Sequence, residues 1–252
     1  MEWNIKKMKE YILLVGCLLL FILGGSSLLK YGWTKMMKGD CSEMIVKKFN
    51  CRHRFAGNVY VISSEKGTIL IDPGYYDSEI KEYIDQKGGL DAILLTHGHW
   101  DHIYDLDQLK ADFRETPVYI CEDDYDFLTH PELNCSITNG FRLVIESEAE
   151  RIKEGELKIG EYDIEIIQTP GHTKGSVMYY FKNENMLFTG DTILKDVTGP
   201  TFRPTGSEED MKNSVEKFKK LSYASDTPMY PGHGDVTSYE YMLTKNKDVK
   251  EN

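Results

Sequence analysis

The residues best suited to chemistry stand in one short run, His97-Gly98-His99-Trp100-Asp101-His102. Imidazole nitrogen and carboxylate oxygen are donors that zinc prefers, and a catalytic site must hold the ion while leaving a position for water. Counted from Thr96, the run places four such donors in seven residues. His97 and His99 are two apart, so on an extended loop both side chains point the same way, whereas Asp101 and His102 begin the next turn and point to a neighbouring spot. Two adjacent metal sites are the expected outcome. Chance clustering is the competing explanation, and it is retained for His53 and His130, which read as surface or hydrogen-bonded histidines. It does not suit the run itself, because burying four such groups without a cation would be costly.

The elements around the run must position it. Ala92-Ile93-Leu94-Leu95 is a continuous apolar stretch, as expected of a strand covered on both faces, and the histidines begin just past it. Upstream, Val59–Ser63 and Thr68–Ile71 read as a hairpin through Ser64-Glu65-Lys66-Gly67, ending at Asp72-Pro73-Gly74. A helix is predicted over Asp77–Gln86, another over Ile103–Leu109, a strand over Val118–Ile120, and a further helix over Glu122–Leu128 before Pro131. Leu157–Ile159, Tyr162–Ile167, Ser176–Phe181 and Met186–Phe188 are strand-like, and Glu208–Leu221 is a helix with Ser207 placed to cap it. Strand and helix alternate, which defines an α/β chain.

Composition restricts the partners. The net charge of -11 argues against a body that binds nucleic acid by neutralising phosphates, and 40% apolar with 28% charged residues is ordinary for a folded domain. At the N-terminus, Lys6, Lys7 and Lys9 precede 19 uncharged residues from Tyr11 to Leu29. A helix crosses the bilayer core with roughly 20 apolar residues, so this stretch reads as a membrane anchor or a long signal peptide. The expected organisation is a basic region (1–10), a hydrophobic helix serving as signal or transmembrane segment (11–29), a tether (30–50), one catalytic domain (51–240) and a polar tail (241–252). The protein is thus expected to be membrane-anchored or exported, with the catalytic domain on the extracytoplasmic side. The five cysteines, Cys17, Cys41, Cys51, Cys121 and Cys135, show no C-x-x-C spacing and imply no disulfide framework.

The chain resembles the metallo-β-lactamase fold superfamily, whose T-H-x-H-x-D-H signature is matched by Thr96, His97, His99, Asp101 and His102. The resemblance extends in order through Leu70-Ile71-Asp72-Pro73-Gly74, Thr169-Pro170-Gly171-His172-Thr173, Thr189-Gly190-Asp191-Thr192 and Pro231-Gly232-His233-Gly234. It implies a four-layer αββα sandwich holding two divalent metal ions, zinc by default, with iron or manganese also suited to these donors. By the same carry-over one ion takes His97, His99 and His172, the other takes Asp101, His102 and His233, Asp191 bridges them, and Asp72 steadies the site.

Two such cations, about 3.5–4 Å apart, lower the pKa of a bridging water so that hydroxide is available as nucleophile near neutral pH. Asp101 would orient that nucleophile and pass on its proton. Among the chemistries of the fold, Asp191 disfavours true β-lactamases, and the pattern looks most like glyoxalase II-like thioesterases. Only 19 residues follow His233, too few for the helical domain that carries glutathione contacts in that group. The expected function is therefore cleavage of a small-molecule ester or thioester. The alternatives are a phosphodiesterase, or a phosphocholine or lactone esterase at the cell envelope, and, in another class, a membrane-tethered binding module with structural metals. Arg203 could pair with an anionic part of the substrate and Phe202 could wall the pocket, while Trp100 either lines that pocket or packs beneath it.

Overall fold

A computed structural model describes residues 44–49 and 57–251. Two mixed six-stranded sheets dominate it. The first is built from β1 (Ile45–Phe49), β2 (Val59–Ser64), β3 (Gly67–Ile71), β4 (Ala92–Leu94), β5 (Val118–Cys121) and β6 (Glu150–Ile152), paired in chain order. The second runs backwards from β12 (Thr237–Ser238) through β11 (Pro228–Pro231), β10 (Met186–Gly190), β9 (Val177–Phe181) and β8 (Tyr162–Gln168) to β7 (Gly155–Ile159). β3, β4, β5 and β6 are mutually parallel, as are β10 and β11, so the loops after β4 and β10 leave the sheets at strand carboxyl ends.

Strand alternation accounts for the layering. In β2, Val59 and Val61 face outward, where they join Ile80 and Ile84 of α1 (Ser78–Gln86), Ile103 of α2 (Trp100–Ile103) and Leu106 and Leu109 of α3 (Leu106–Asp112). Their neighbours Tyr60 and Ile62 face the second sheet and pack with Tyr162, Ile164, Tyr179, Phe181 and Phe188. On the far side, Met178 and Leu187 meet Met211, Val215 and Phe218 of α4 (Glu208–Lys219), together with Tyr239 and Met242 of α5 (Tyr239–Lys245) and Val249 of α6 (Lys247–Glu251). Helix, sheet, sheet and helix follow in that order, as the αββα expectation requires.

Several expectations need correction. The tether assigned to 30–50 contains β1, which pairs antiparallel with β2 and buries Phe49, so the folded body begins before residue 51. Ile45, Val46 and Phe49 carry that strand, but Lys47 and Lys48 interrupt them and conceal its apolar face. The polar tail assigned to 241–252 supplies most of α5 and all of α6, and Met242 and Val249 are both 0% exposed. Asn246 joins these two helices to the body: its Nδ2 donates to Leu194 O at 2.8 Å and Val197 O at 3.1 Å, while its Oδ1 accepts from the backbone of Asp248 and Val249. The single helix expected over Ile103–Leu109 is divided between α2 and α3, with Asp105 at the break accepting from Tyr76 N at 2.8 Å. The helix expected over Glu122–Leu128 is a 3-10 segment. The hydrophobic helix expected over 11–29 lies outside the described residues, and among the described residues no helix is long and apolar enough to cross a membrane.

The contribution of α5 is directly measurable. Met242→Ala is expected to lower unfolding free energy by about 2–5 kcal/mol in a urea titration, the cost of a fully buried truncation, whereas a change within ~0.5 kcal/mol would return this segment to the status of a tail.

Candidate metal centre

The centre forms where β3, β4 and β10 end, together with the loops that follow β8 and β11. Asp72, one residue beyond β3, has φ 55°, and this left-handed turn aims its carboxylate beneath the histidine loop. Its Oδ1 accepts from Thr96 N at 2.7 Å and its Oδ2 from Thr96 Oγ1 at 2.6 Å. Oδ2 also accepts from His102 Nδ1 at 2.9 Å, which fixes that ring and leaves Nε2 facing the centre. With its hydroxyl proton committed to Asp72, Thr96 Oγ1 accepts from His97 Nδ1 at 3.2 Å. His172 Nδ1 donates to Pro200 O at 2.8 Å. Three of the rings are thus held by one nitrogen and present the other.

The presented atoms converge. His97, His99 and His172 form one group, Asp101, His102 and His233 a second, and His97, His102 and Asp191 a third that overlaps both; within each group the donor atoms lie within 4.8 Å of one another. Asp191 stands between the first two, with Oδ1 3.6 Å from His102 Nε2 and Oδ2 3.6 Å from His172 Nε2 and 3.4 Å from His233 Nε2. Every residue of the expected ligand set is therefore brought together. His97 Nε2, His99 Nε2 and Asp191 Oδ1 are buried yet have no hydrogen-bond partner. Buried polar atoms are normally satisfied, so this donor set fits a pair of divalent cations better than it fits the protein alone. Gly232 belongs to the same design, because a Cβ there would overlap Asp191 Oδ1.

The electrostatics differ between the rings, favouring the neutral form at His97 and His99 and the protonated form at His102 and His233. Burial, reinforced by the neighbouring imidazoles, holds His97 and His99 well below the usual histidine range, which keeps their nitrogens free to coordinate. Burial opposes ionisation of Asp101, but His102, His233 and His99 outweigh it and keep the carboxyl below its ordinary value. His102 is desolvated, yet Asp191, Asp72 and Asp101 push it up to about 10.

Asp124 is a functional residue that the sequence reading missed. Fully buried, it accepts from Gly98 N at 3.0 Å, Thr173 Oγ1 at 2.7 Å and Gly175 N at 2.7 Å. One carboxylate thereby ties the His97–His99 loop to the loop that carries His172. Burial pushes its pKa up to about 6, against the pull of those three bonds. Glu122, Asp123 and Asp124 read in sequence as one acidic run, and nothing in their spacing marks the third as buried.

A cavity of about 300 Å³ opens over the centre, with His99, Asp101, His172, Asp191 and His233 on its floor. Trp100 lines its wall and packs edge-on against Phe141 and Tyr104, with ring centroids 5.1 and 6.1 Å away. Arg203 and Cys135 also line it. Phe202 does not; it is 82% exposed and borders a separate depression with Met211, so the proposed wall is corrected. Its neighbour turns inward instead, because residue 203 rather than 202 faces the cavity on this irregular loop. His130 is an exposed histidine on the Asp126 carbonyl, as expected, while His53 lies outside the described residues.

A centre of this kind between two helix-flanked sheets defines a metallo-hydrolase of the αββα class. The Metallo-beta-lactamase superfamily model matches residues 53–233, and the chain belongs to that superfamily. It is 34% identical over 183 residues to the "Probable metallo-hydrolase YqgX" of Bacillus subtilis, covering 71% of this chain and 86% of that protein. With the "Probable metallo-hydrolase MJ0888" of Methanocaldococcus jannaschii it shares 32% over 188 residues, covering 72% and 89%. Among solved structures, BLEG-1 B3 metallo-beta-lactamase superposes with a TM-score of 0.75 at 29% identity, covering 81% of this chain and 99% of that one. TTHA1623 in a di-iron-bound form shares the fold, with a TM-score of 0.69 at 22% identity, covering 81% and 98%.

If Asp72 orients His102, Asp72→Ala is expected to weaken metal binding by about 10–100-fold in a competitive chelator titration. Unchanged affinity would show that His102 holds its orientation without Asp72.

Proposed function

We propose that the protein is a two-metal hydrolase that cleaves a small ester or thioester, in the manner of glyoxalase II. The observation that carries this reading is the place of Asp191: a buried carboxylate between two groups of donors, one oxygen without a hydrogen-bond partner. His97, His99 and His172 would hold one ion, Asp101, His102 and His233 the other, and Asp191 both. Bound there, the ions would acidify water and polarise the oxygen of the bond under attack. Zinc is the default, and the di-iron form of TTHA1623 makes iron a second choice.

The chain's own residues supply the rest. Asp101, whose Oδ2 lies 3.2 Å from His233 Nε2, borders the cavity, where its carboxylate is placed to orient the attacking water and pass on its proton. No separate serine or cysteine nucleophile is required. The net charge of -11 disfavours an RNA substrate. Likeness to BLEG-1 B3 metallo-beta-lactamase supports β-lactam hydrolysis as a second reading, and Asp191 counts against it.

The purified chain is expected to carry about two zinc or iron ions and to turn over esters or thioesters in a panel that also holds lactones, phosphodiesters and a chromogenic β-lactam. His99→Ala and Asp191→Ala should each reduce turnover by at least about a hundredfold while cooperative unfolding persists. A fully metallated wild type inert toward the whole panel would favour a binding module with structural metals, and selective β-lactam turnover would favour the second reading.

A further inference from the structure

Arg203 stands on a loop fastened at one end to the His172 ring and at the other to the backbone beside it. Pro200 O receives the His172 Nδ1 hydrogen bond at 2.8 Å, and Ser207 N donates to Gly171 O at 2.9 Å. Between them, Thr205 Oγ1 accepts from Lys174 N at 3.1 Å, and Gly206 N closes a turn on Arg203 O at 2.9 Å. The loop that orients a candidate ligand thus also carries Arg203. A pinned loop spares the cost of ordering backbone when its side chain engages a ligand.

Arg203 is the one lysine or arginine on the wall of the metal cavity among the described residues. The Phe202 ring backs it from outside, with the centroid 5.5 Å from Cζ. On its other side it meets the Cys135 thiol, which burial pushes up and so keeps neutral despite the arginine. A thiol is a weak acceptor, and a guanidinium has five N–H donors to place. Among the described residues no carboxylate pairs with it, although the chain carries an acidic excess and its surface lysines are widely paired, as Lys66 is with Glu184 and Lys174 with Asp123. A half-buried cation therefore faces a small cavity with its fork uncompensated.

We propose that Arg203 determines specificity by binding a free carboxylate on the substrate, so that the ester or thioester cleaved here is an acidic one. A planar fork matches a carboxylate in two parallel hydrogen bonds, a geometry that lysine cannot reproduce. The assignment rests on the hydrolase reading for its scissile bond, but recognition of the anion can be measured without turnover.

Two measurements on the full-length, metal-loaded chain test it. The first is equilibrium binding of acetate, succinate and glutarate, where acetate reports a carboxylate at the metals alone and the longer acids offer a second carboxylate to Arg203. Wild type is expected to bind succinate or glutarate about tenfold or more tightly than acetate; Arg203→Gln should abolish the difference, and Arg203→Lys should restore only part of it. Equal binding of all three acids by wild type, or an advantage that survives Arg203→Gln in a variant with unchanged melting temperature, would overturn the proposal. The second is the ratio of kcat/KM for a thioester bearing a terminal carboxylate to that for its methyl-capped counterpart. Wild type should favour the acid by about tenfold to a hundredfold, chiefly through KM, and Arg203→Gln should bring the ratio near one. Turnover without acid preference would sink this inference and spare the hydrolase reading, and a preference for phosphomonoesters over carboxylates would overturn the carboxylate assignment. Dicarboxylate binding through Arg203 with no turnover of either thioester would leave this site standing and count against the hydrolase.

Discussion

Five imidazoles and two carboxylates, those of Asp101 and Asp191, are drawn together in a nearly dry space at the ends of the strands. Desolvation makes the charged forms expensive, and crowding of like rings makes protonation of several at once more so. The protein answers part of this by occupying one nitrogen of His102 with Asp72, one of His97 with Thr96 and one of His172 with Pro200 O. The remaining ring nitrogens crowd together, with His99 Nδ1 hydrogen-bonded to His172 Nε2 at 2.8 Å and His102 Nε2 paired with His233 Nε2 at 3.3 Å. An arrangement of converging acceptors is stable when cations lie among them, and most of the surrounding structure can be understood as the means of holding it.

Those means are short loops fixed to rigid strands. The sheets present Asp72, the His97–His102 run and Asp191 at neighbouring strand ends, because β3 lies beside β4 in one sheet and β10 lies in the facing one. Val177 N donates to Thr96 O at 2.9 Å and Tyr179 Oη to Leu95 O at 2.7 Å, so the two sheets are joined directly behind the histidines. Asp124 adds the connection to the His172 loop, and the Pro200–Ser207 loop closes over the other side of that histidine. The cavity and its arginine are consequences of how His172 is held.

Much of the centre was legible in the chain because ligand-type residues occur at fixed spacings beside turn-forming glycines, and few structural roles need that combination. The hairpin, the buried β4 and α4 were legible for an equally local reason: each carries its own period and its own stop signals. What escaped was non-local. Asp124 gains its role from contacts 26 to 51 residues away, and within its own segment it is one acid among several. β1 depends on pairing with β2 to hide a face that its lysines disguise, and α6 depends on a buried asparagine that in sequence looks like a polar linker residue. Of the two neighbours expected at the pocket, Arg203 lines the cavity and Phe202 does not, a difference of loop geometry that neither residue type nor spacing encodes.

The central claim, that these residues form a two-ion centre spanned by Asp191, is tested most directly by anomalous diffraction from crystals of the protein loaded with zinc or iron. Two peaks are expected, about 3.5–4 Å apart, one among His97, His99 and His172 and the other among Asp101, His102 and His233, with Asp191 between them. A single peak at full loading, or a pair in which Asp191 touches neither ion, would contradict the account.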